Sequence, residues 1–292
     1  FGGIVSYGLE PGIPNMYALR VLCDVLDERG VTDYPIHIKL DTGMGRVGFN
    51  PNKDISTIKL IYELPGIEIE GVFSHFAVAD EADTSYTEMQ FNIFNEAVEK
   101  LALQGINIPI KHIANSAAII RYPHMHLNMV RAGIILYGLH PSDVTKEYDI
   151  DLKPAMTLKS RITYVKTIES DSCISYGCTH TAHSGEKIAT IPIGYADGFL
   201  RRLGNNAEIV INGCRAKIVG RVCMDQCMAD VTEIENVCVG DKAIIFGTDI
   251  SCDEVAQMSD SINYEIVCLI GKRVPRVYIE NGKYIGAQSV IE

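Results

Sequence analysis

For about 140 residues this sequence alternates short apolar runs with longer stretches of helical periodicity, and after Pro141 the alternation stops. Strands are expected at 8–13, 36–40, 69–76, 110–115 and 129–137. Helices are expected near 16–29, 55–64, 88–104 and 116–121, and Thr87 with Gln90 has the form of a capping box for the third of these. Regular strand–helix alternation implies parallel strands joined by right-handed crossovers. Beyond Pro141 the runs 157–168, 187–192, 207–211, 216–224 and 242–246 read as strands without long helices between them. Asn212-Gly213 is a hairpin signal, as is Asn281-Gly282 between strands at 277–279 and 284–286. One helix, about 253–268, interrupts this β-rich half, and the polar stretch 141–153 marks the boundary.

A (β/α)8 barrel uses about 30 residues per unit, so the first half holds about five units. The expected fold class is therefore α/β. A partial (β/α)8 TIM barrel, about its last five strands, occupies 1–148, and a C-terminal mainly β domain occupies 149–292. An open five-strand remnant would expose its inner face and two sheet edges. That deficit, with Phe1 in place of an initiating methionine, gives the expectation of an N-terminally truncated chain.

The 292 residues are 47% hydrophobic and 22% charged, an ordinary globular balance, and the net charge of -11 argues against nucleic acid or an anionic membrane as partner. No apolar run has the length of a bilayer span and no basic-then-apolar leader opens the chain, so a cytoplasmic location is expected. The nine cysteines, including Cys173 with Cys178 and Cys223 with Cys227, lack the spacing of zinc knuckles and are expected as buried free thiols, with no metal site.

Chemistry concentrates at predicted strand ends. The run Ile36-His-Ile-Lys-Leu-Asp-Thr-Gly-Met-Gly-Arg-Val-Gly48 carries Lys39 in an apolar strand. It then presents Arg46, a forked cation suited to a carboxylate or phenolate oxygen, on a glycine-rich turn. His75 lies at the end of the third strand, where a core histidine or a functional one would both fit. Ser116 opens a helix, as a plain N-cap or as part of an anion site. Arg131 and Gly133 follow on the next strand, the arginine as a surface ion pair or as a phosphate ligand, and the last strands of such barrels are where phosphate is bound. In the second half Tyr176 precedes a glycine, Tyr195 sits in a loop bounded by glycines, and Met224 and Asp225 stand at a strand end. A tyrosine acts as a general base only where positive charge lowers its pKa from about 10.

In this order the segments IKLDTGMGRVGF, SHFAVADE, HIANSAA, RAGIILYG, ISYG, IPIGYADG, GRVCMDQ and KRVPR resemble the alanine racemase family. The resemblance implies an isomerase dependent on pyridoxal 5'-phosphate that interconverts L- and D-alanine for peptidoglycan precursors. It also implies a barrel followed by a β domain, in a homodimer whose active site is shared across subunits. It makes Tyr176 the general base, Arg131 the cation facing the pyridine nitrogen, and His75 the link between them. Ser116 with the backbone of Gly133 and Ile134 becomes the phosphate cradle, and Arg46 with the Met224 backbone the substrate contacts. Lys39 matches a lysine that is often carbamylated, and Tyr195 and Asp225 match the entrance.

Two departures accompany the resemblance. The motif Lys-Ala-x-Ala-Tyr-Gly-His-Gly, which carries the family's cofactor lysine, does not occur in this sequence, so the isolated chain is expected to be inactive. Lys272 stands where many members have tyrosine. Two alternatives stay open: a serine racemase of the same family, as the soluble part of a membrane-anchored protein, and a non-catalytic homologue that binds the cofactor.

Overall fold

The structure, a computed structural model, describes residues 1–290 and divides into two compact units, Phe1–Lys153 and Pro154–Glu292. The first unit runs α1 Gly2–Ser6, β1 Gly12–Ile13, α2 Met16–Arg29, β2 Tyr34–Lys39, α3 Ile55–Tyr62, β3 Ile67–Phe73, α4 Ser85–Leu103, β4 Ile110–His112 and α5 Ser116–Arg121. The strands form one parallel sheet in the order β1-β2-β3-β4. Helix α2 shows why the local sequence folds as it does. Asn15 caps it by accepting from the Ala18 amide, Gly30 ends it in the left-handed region, and Leu19, Leu22 and Leu26 recur on its buried face. They pack with Ile36, Ile38, Val72, Ile58 and Phe94 in one core. Truncating one such leucine to alanine would cost about 2–5 kcal/mol.

The sheet has four strands rather than five. Residues 129–137 make only an isolated backbone bond from Arg131 to the Ala114 carbonyl, and then Ile134–Tyr137 coils into a 3₁₀ turn ended by Gly138 at φ 72°. The expected strand at 110–115 stops at His112 because Asn115 leaves the ladder to cap α5. Likewise β3 ends at Phe73, which places His75 in the following loop. The capping box is not formed. Helix α4 starts at Ser85 with Thr84 as N-cap, and Gln90 points its amide elsewhere. Only Gly12–Ile13 of the first expected strand pairs, following the short helix α1.

The second unit is built from antiparallel strands. These are β5 Leu158–Arg161, β6 Tyr164–Thr167, β7 Ser172–Ile174, β8 His180–Ala182, β9 Lys187–Ile191, β10 Glu208–Ile211, β11 Cys214–Lys217, β12 Cys227–Asp230 and β13 Lys242–Phe246. Helices α6 Cys252–Met258 and α7 Asn263–Leu269 follow, then β14 Arg276–Glu280 and β15 Lys283–Gln288. Strands order as β11-β10-β13-β5 and β12-β9-β6, with hairpins β7-β8 and β14-β15. The run expected as a single strand at 157–168 is two, because β5 pairs with β13 while β6 pairs with β9. At the corner, Ile162 bonds the Asp241 carbonyl and Thr163 the Thr190 carbonyl. The expected strand at 216–224 turns away at Gly220, whose φ is 73°.

The helix expected at 253–268 breaks into α6 and α7 where the Ser259 hydroxyl bonds back to Val255 and Ala256 and Asp260 takes φ 52°. Both Asn-Gly turns adopt positive φ at each residue, as hairpins require. All nine cysteines are free, but only Cys227 and Cys252 are buried. Cys173, Cys178, Cys214, Cys238 and Cys268 are exposed, in contrast to the expectation for them, because several lie on hairpins and turns that pack on one side only.

Candidate active site

Loops after β2, β3 and β4 gather the charged groups of the first unit. After β2 the chain leaves and returns through a neck made by Asp41 N–H to Phe49 O and Phe49 N–H to Lys39 O. Gly48 sits in this neck at φ 136°, and a Cβ there would lie 2.6 Å from the Asp41 nitrogen, so only glycine fits. Within the loop the Asp41 carboxylate accepts from the Gly43 and Gly45 amides at 3.1 and 3.0 Å. Burial opposes its charge, but these bonds and Lys39 outweigh it and hold the carboxyl below its usual range. Arg46 projects from the tip of this loop, exposed.

Lys39 is buried, donates to the Leu40 carbonyl at 2.6 Å and lies 5.6 Å from the centre of the Phe73 ring. Burial first, then the nearby Arg131 and Arg46, bring its pKa down to about 8 against the pull of Asp41. A neutral amine fraction therefore exists near pH 7, which an exposed lysine lacks.

Arg131 is the hub. Its guanidinium donates to His112 Nδ1 at 2.6 Å, to the Ser74 carbonyl at 2.7 Å, and to His75 Nδ1 and the Ile113 carbonyl, each at 3.3 Å. Every one of these acceptors is formally uncharged, so a half-buried cation stands, among the described residues, without a carboxylate as hydrogen-bond partner. Burial and the charge of Arg46 lower its pKa to about 10, and it stays protonated at neutral pH. The His75 imidazole is pushed down to about 4 by burial and by Arg131, Arg46 and Lys39. It is neutral at pH 7, and its Nδ1 accepts from the arginine.

A second tier lies behind Arg131. An arginine only donates, so His112 Nδ1 must accept and its proton sits on Nε2. That nitrogen is 2.9 Å from His37 Nδ1, and His37 Nε2 is 3.0 Å from a carboxylate oxygen of Glu10. The bonds thus run in one direction from Arg131 to Glu10. His112 stacks on Phe73 at 4.9 Å, and burial followed by Arg131 drops its pKa to about 3. Room for His37 comes from its sheet neighbour Gly71, where a Cβ would lie 2.1 Å from the imidazole.

Ser116 is buried as the first residue of α5, but Asn115 is the cap. The serine hydroxyl instead accepts from the Gly133 amide at 2.8 Å, just before the 3₁₀ turn that Ile134 begins. A Cβ on Gly133 would come within 3.3 Å of that hydroxyl.

The second unit carries the other candidates, in two adjoining loops and a hairpin. Tyr176 stands 70% exposed in the β7-β8 turn, between Ser175 at φ 65° and Gly177 at φ 74°. The Ser175 hydroxyl bonds the Arg221 carbonyl at 2.6 Å, and the Arg221 guanidinium fills the space a Cβ on Gly177 would take. Tyr195 and Met224 are brought side by side by their backbones, through Tyr195 N–H to Cys223 O and Ala196 N–H to Met224 O. Met224 and Asp225 lie in the loop ahead of β12, not at a strand end. Arg273 ties this arrangement by donating to Asp197 at 2.7 Å and to Asp225 at 2.6 Å, while its neighbour Lys272 is exposed.

The first unit thus brings together Lys39, His75 and Arg131, with Arg46 close enough to shift all three electrostatically, and pairs Ser116 with Gly133. Tyr176, Tyr195, Met224 and Asp225 belong to the other unit. Sequence reasoning missed His112, His37, Glu10, Gln90 and Arg273. The alternation Ile36-His37-Ile38-Lys39 does place His37 on the Lys39 face, and His112 and Arg273 lie inside segments already singled out.

The N-terminal domain of alanine racemase matches residues 2–141 and its C-terminal domain residues 155–278. The alanine racemase of Methanococcus maripaludis is 54% identical over 249 residues, covering 84% of this chain and 66% of that protein. That of Desulforamulus reducens is 50% identical over 246 residues, with the same coverages. The chain therefore spans about two thirds of the length of these relatives. Among solved structures, the alanine racemase of Clostridium difficile 630 superimposes with a TM-score of 0.94 at 39% identity, over 100% of this chain and 76% of that one. The Bacillus anthracis enzyme, solved with bound L-Ala-P, gives a TM-score of 0.88 at 38% identity over 95% and 72%. The parallel sheet with its helices and the β-rich unit after it are the TIM-like barrel portion and C-terminal β domain of that fold. With both of its domains matched in order and half of its aligned residues shared with named members, the chain belongs to the alanine racemase family.

Proposed function

We propose that this chain serves an alanine racemase that interconverts L- and D-alanine with pyridoxal 5'-phosphate as cofactor, a cytoplasmic homodimer that supplies D-alanine for peptidoglycan. In that enzyme the base for the second face of Cα is the family's cofactor lysine, whose motif does not occur in this sequence. The observation that carries this reading is the Arg131 environment: a half-buried guanidinium whose acceptors are all neutral, beside a neutral His75 and a serine–glycine cradle. Such a donor set fits an anionic, planar ligand with a basic ring nitrogen. The named relatives support the reaction, and no described helix is long and apolar enough to cross a membrane.

In this reading Ser116 and the backbone of Gly133 and Ile134 hold the phosphate, and Arg131 faces the pyridine nitrogen. The cofactor, when bound, supplies an electron sink for the Cα proton's bonding pair. Arg131 remains protonated at working pH, so it disfavours a proton on the ring nitrogen and restrains that sink, which favours simple reprotonation. Neutral His75 accepts from Arg131 through Nδ1, leaving Nε2–H to orient the phenol of Tyr176, which a partner subunit presents. Tyr176 moves a proton at one face of Cα. Arg46 and the Met224 backbone hold the substrate carboxylate, and Tyr195 and Asp225 line the entrance. The neutral amine of Lys39 takes up carbon dioxide with loss of a proton, and the resulting carbamate is the anionic partner of Arg46.

The test is deuterium uptake at Cα and change of optical rotation when the protein carrying this chain is given pyridoxal phosphate and L-alanine in heavy water. Exchange with racemisation is expected. Neither exchange nor rotation change with bound cofactor would refute the reading.

A further inference from the structure

Gln90 lies in the second turn of α4 on its buried stripe, in the series Thr87, Gln90, Phe94, Ala97 and Leu101, and is itself 0% exposed. An apolar residue is the default there, since a buried amide is costly unless its bonds are made. They are made, and all to loops. The Gln90 carbonyl oxygen accepts from the Ala77 amide at 2.9 Å, and its nitrogen donates to the His75 carbonyl at 3.1 Å and to Thr42 Oγ1 at 3.4 Å. Directions beyond this are settled by counting hydrogens. Ser74 gives its only hydroxyl hydrogen to the Leu40 carbonyl at 2.8 Å, so Thr42 donates to Ser74 Oγ at 2.8 Å and keeps a lone pair for Gln90. One side chain thereby joins the loop after β2, which carries Arg46, to the loop after β3, which carries His75, and Ser74 passes the tie to Arg131 through its carbonyl.

We infer that Gln90 is the positioning residue that locks the His75 loop against Arg131, and that it acts through hydrogen bonds to the His75 and Ala77 backbone rather than by touching any ligand. Its functional meaning rests on the active-site reading above, but the lock itself is a property of the folded chain. An amide is the one side-chain group of this length that offers an acceptor to Ala77 and a donor to His75 together at neutral pH. A carboxylate would set a lone pair against the His75 carbonyl.

The experiment follows the ring resonances of His75 by NMR as pH is varied, in the parent protein, Gln90→Met and Thr42→Val, with thermal unfolding of each recorded alongside. His75 is held near 4 by burial and by Arg131, Arg46 and Lys39, the charged groups that face it. Releasing the loop lets water reach the ring and moves it away from those cations. Gln90→Met should raise the midpoint well towards the ordinary imidazole value of about 6.5. Thr42→Val, which keeps the volume and removes one anchor of the amide, should raise it less. Folded variants whose His75 midpoints match the parent would overturn the inference, whatever their loss of thermal stability. If Gln90→Met does not fold, Thr42→Val decides the same question. A raised midpoint in Gln90→Met together with unchanged Cα proton exchange in the whole, cofactor-loaded protein would count against the active-site reading and leave the lock standing.

Discussion

Arg131 and His112 meet at 2.6 Å with the guanidinium donating and the imidazole accepting, which fixes His112 as the neutral Nε2–H tautomer. A buried neutral histidine beside a half-buried cation has a pH signature. His75 and His112 titrate near 4 and 3 in the fold, from an ordinary value of 6.5. Below about 6.5 the unfolded chain binds protons that the folded chain refuses. Their contribution to stability is complete above that pH and drains away as pH falls towards 4. Urea unfolding at pH 7 and pH 5 should show the loss, and His112→Gln should flatten the dependence.

Gly71→Ala should destabilise the first unit through a single clash, because the new methyl would lie 2.1 Å from His37 Nδ1. Overpacking of this kind costs about 1–3 kcal/mol. In a His37→Ala background the penalty should shrink, and equal penalties in both backgrounds would place the strain elsewhere.

Ser116→Ala removes the hydroxyl that receives the Gly133 amide at 2.8 Å. Loss of one such bond is worth about 1 kcal/mol. If that hydroxyl also donates to the cofactor phosphate as proposed, pyridoxal phosphate should bind several-fold more weakly by fluorescence titration, while pyridoxal, which lacks the phosphate, should bind the two proteins alike.

Lys39, brought to about 8, should react with carbon dioxide more readily than the surface lysines do at neutral pH. Labelled bicarbonate should give a carbamate carbon resonance that is absent from Lys39→Ala and disappears on acidification. A signal unchanged in Lys39→Ala would assign the reaction to another amine.

On the proposed reading as an alanine racemase, Tyr176→Phe in the whole protein should slow Cα proton exchange from one enantiomer far more than from the other, by about 10²–10⁴, the usual contribution of a general base. Equal, small losses for both enantiomers would remove Tyr176 from that role.

The sequence made the division into an α/β half and a β half legible, along with α2, α5 and both Asn-Gly turns, because periodicity, caps and turn residues are local signals. The strand at 129–137 was misread since its apolar run resembles a strand, and only the absence of ladder partners reveals a 3₁₀ turn. Of the charged cluster, the glycine-rich turn that carries Arg46 after β2 was legible from its residue types. Gln90, His37 and Glu10 were not, because their meaning lies in partners 13 to 75 residues away along the chain. Residue type alone cannot show that His37 touches His112, or that a helix glutamine serves two loops.

The two backbone bonds between residues 39–41 and Phe49 also insulate one part of the molecule from another. With Thr42 held by Ser74 and Gln90 and Gly48 held in the neck, the tip at residues 44–47 can change in length or sequence without altering the register of β2, so the reach of Arg46 can vary while Lys39 and His37 keep their places. A lineage could retune what the glycine-rich tip grasps and leave the groups around Arg131 undisturbed.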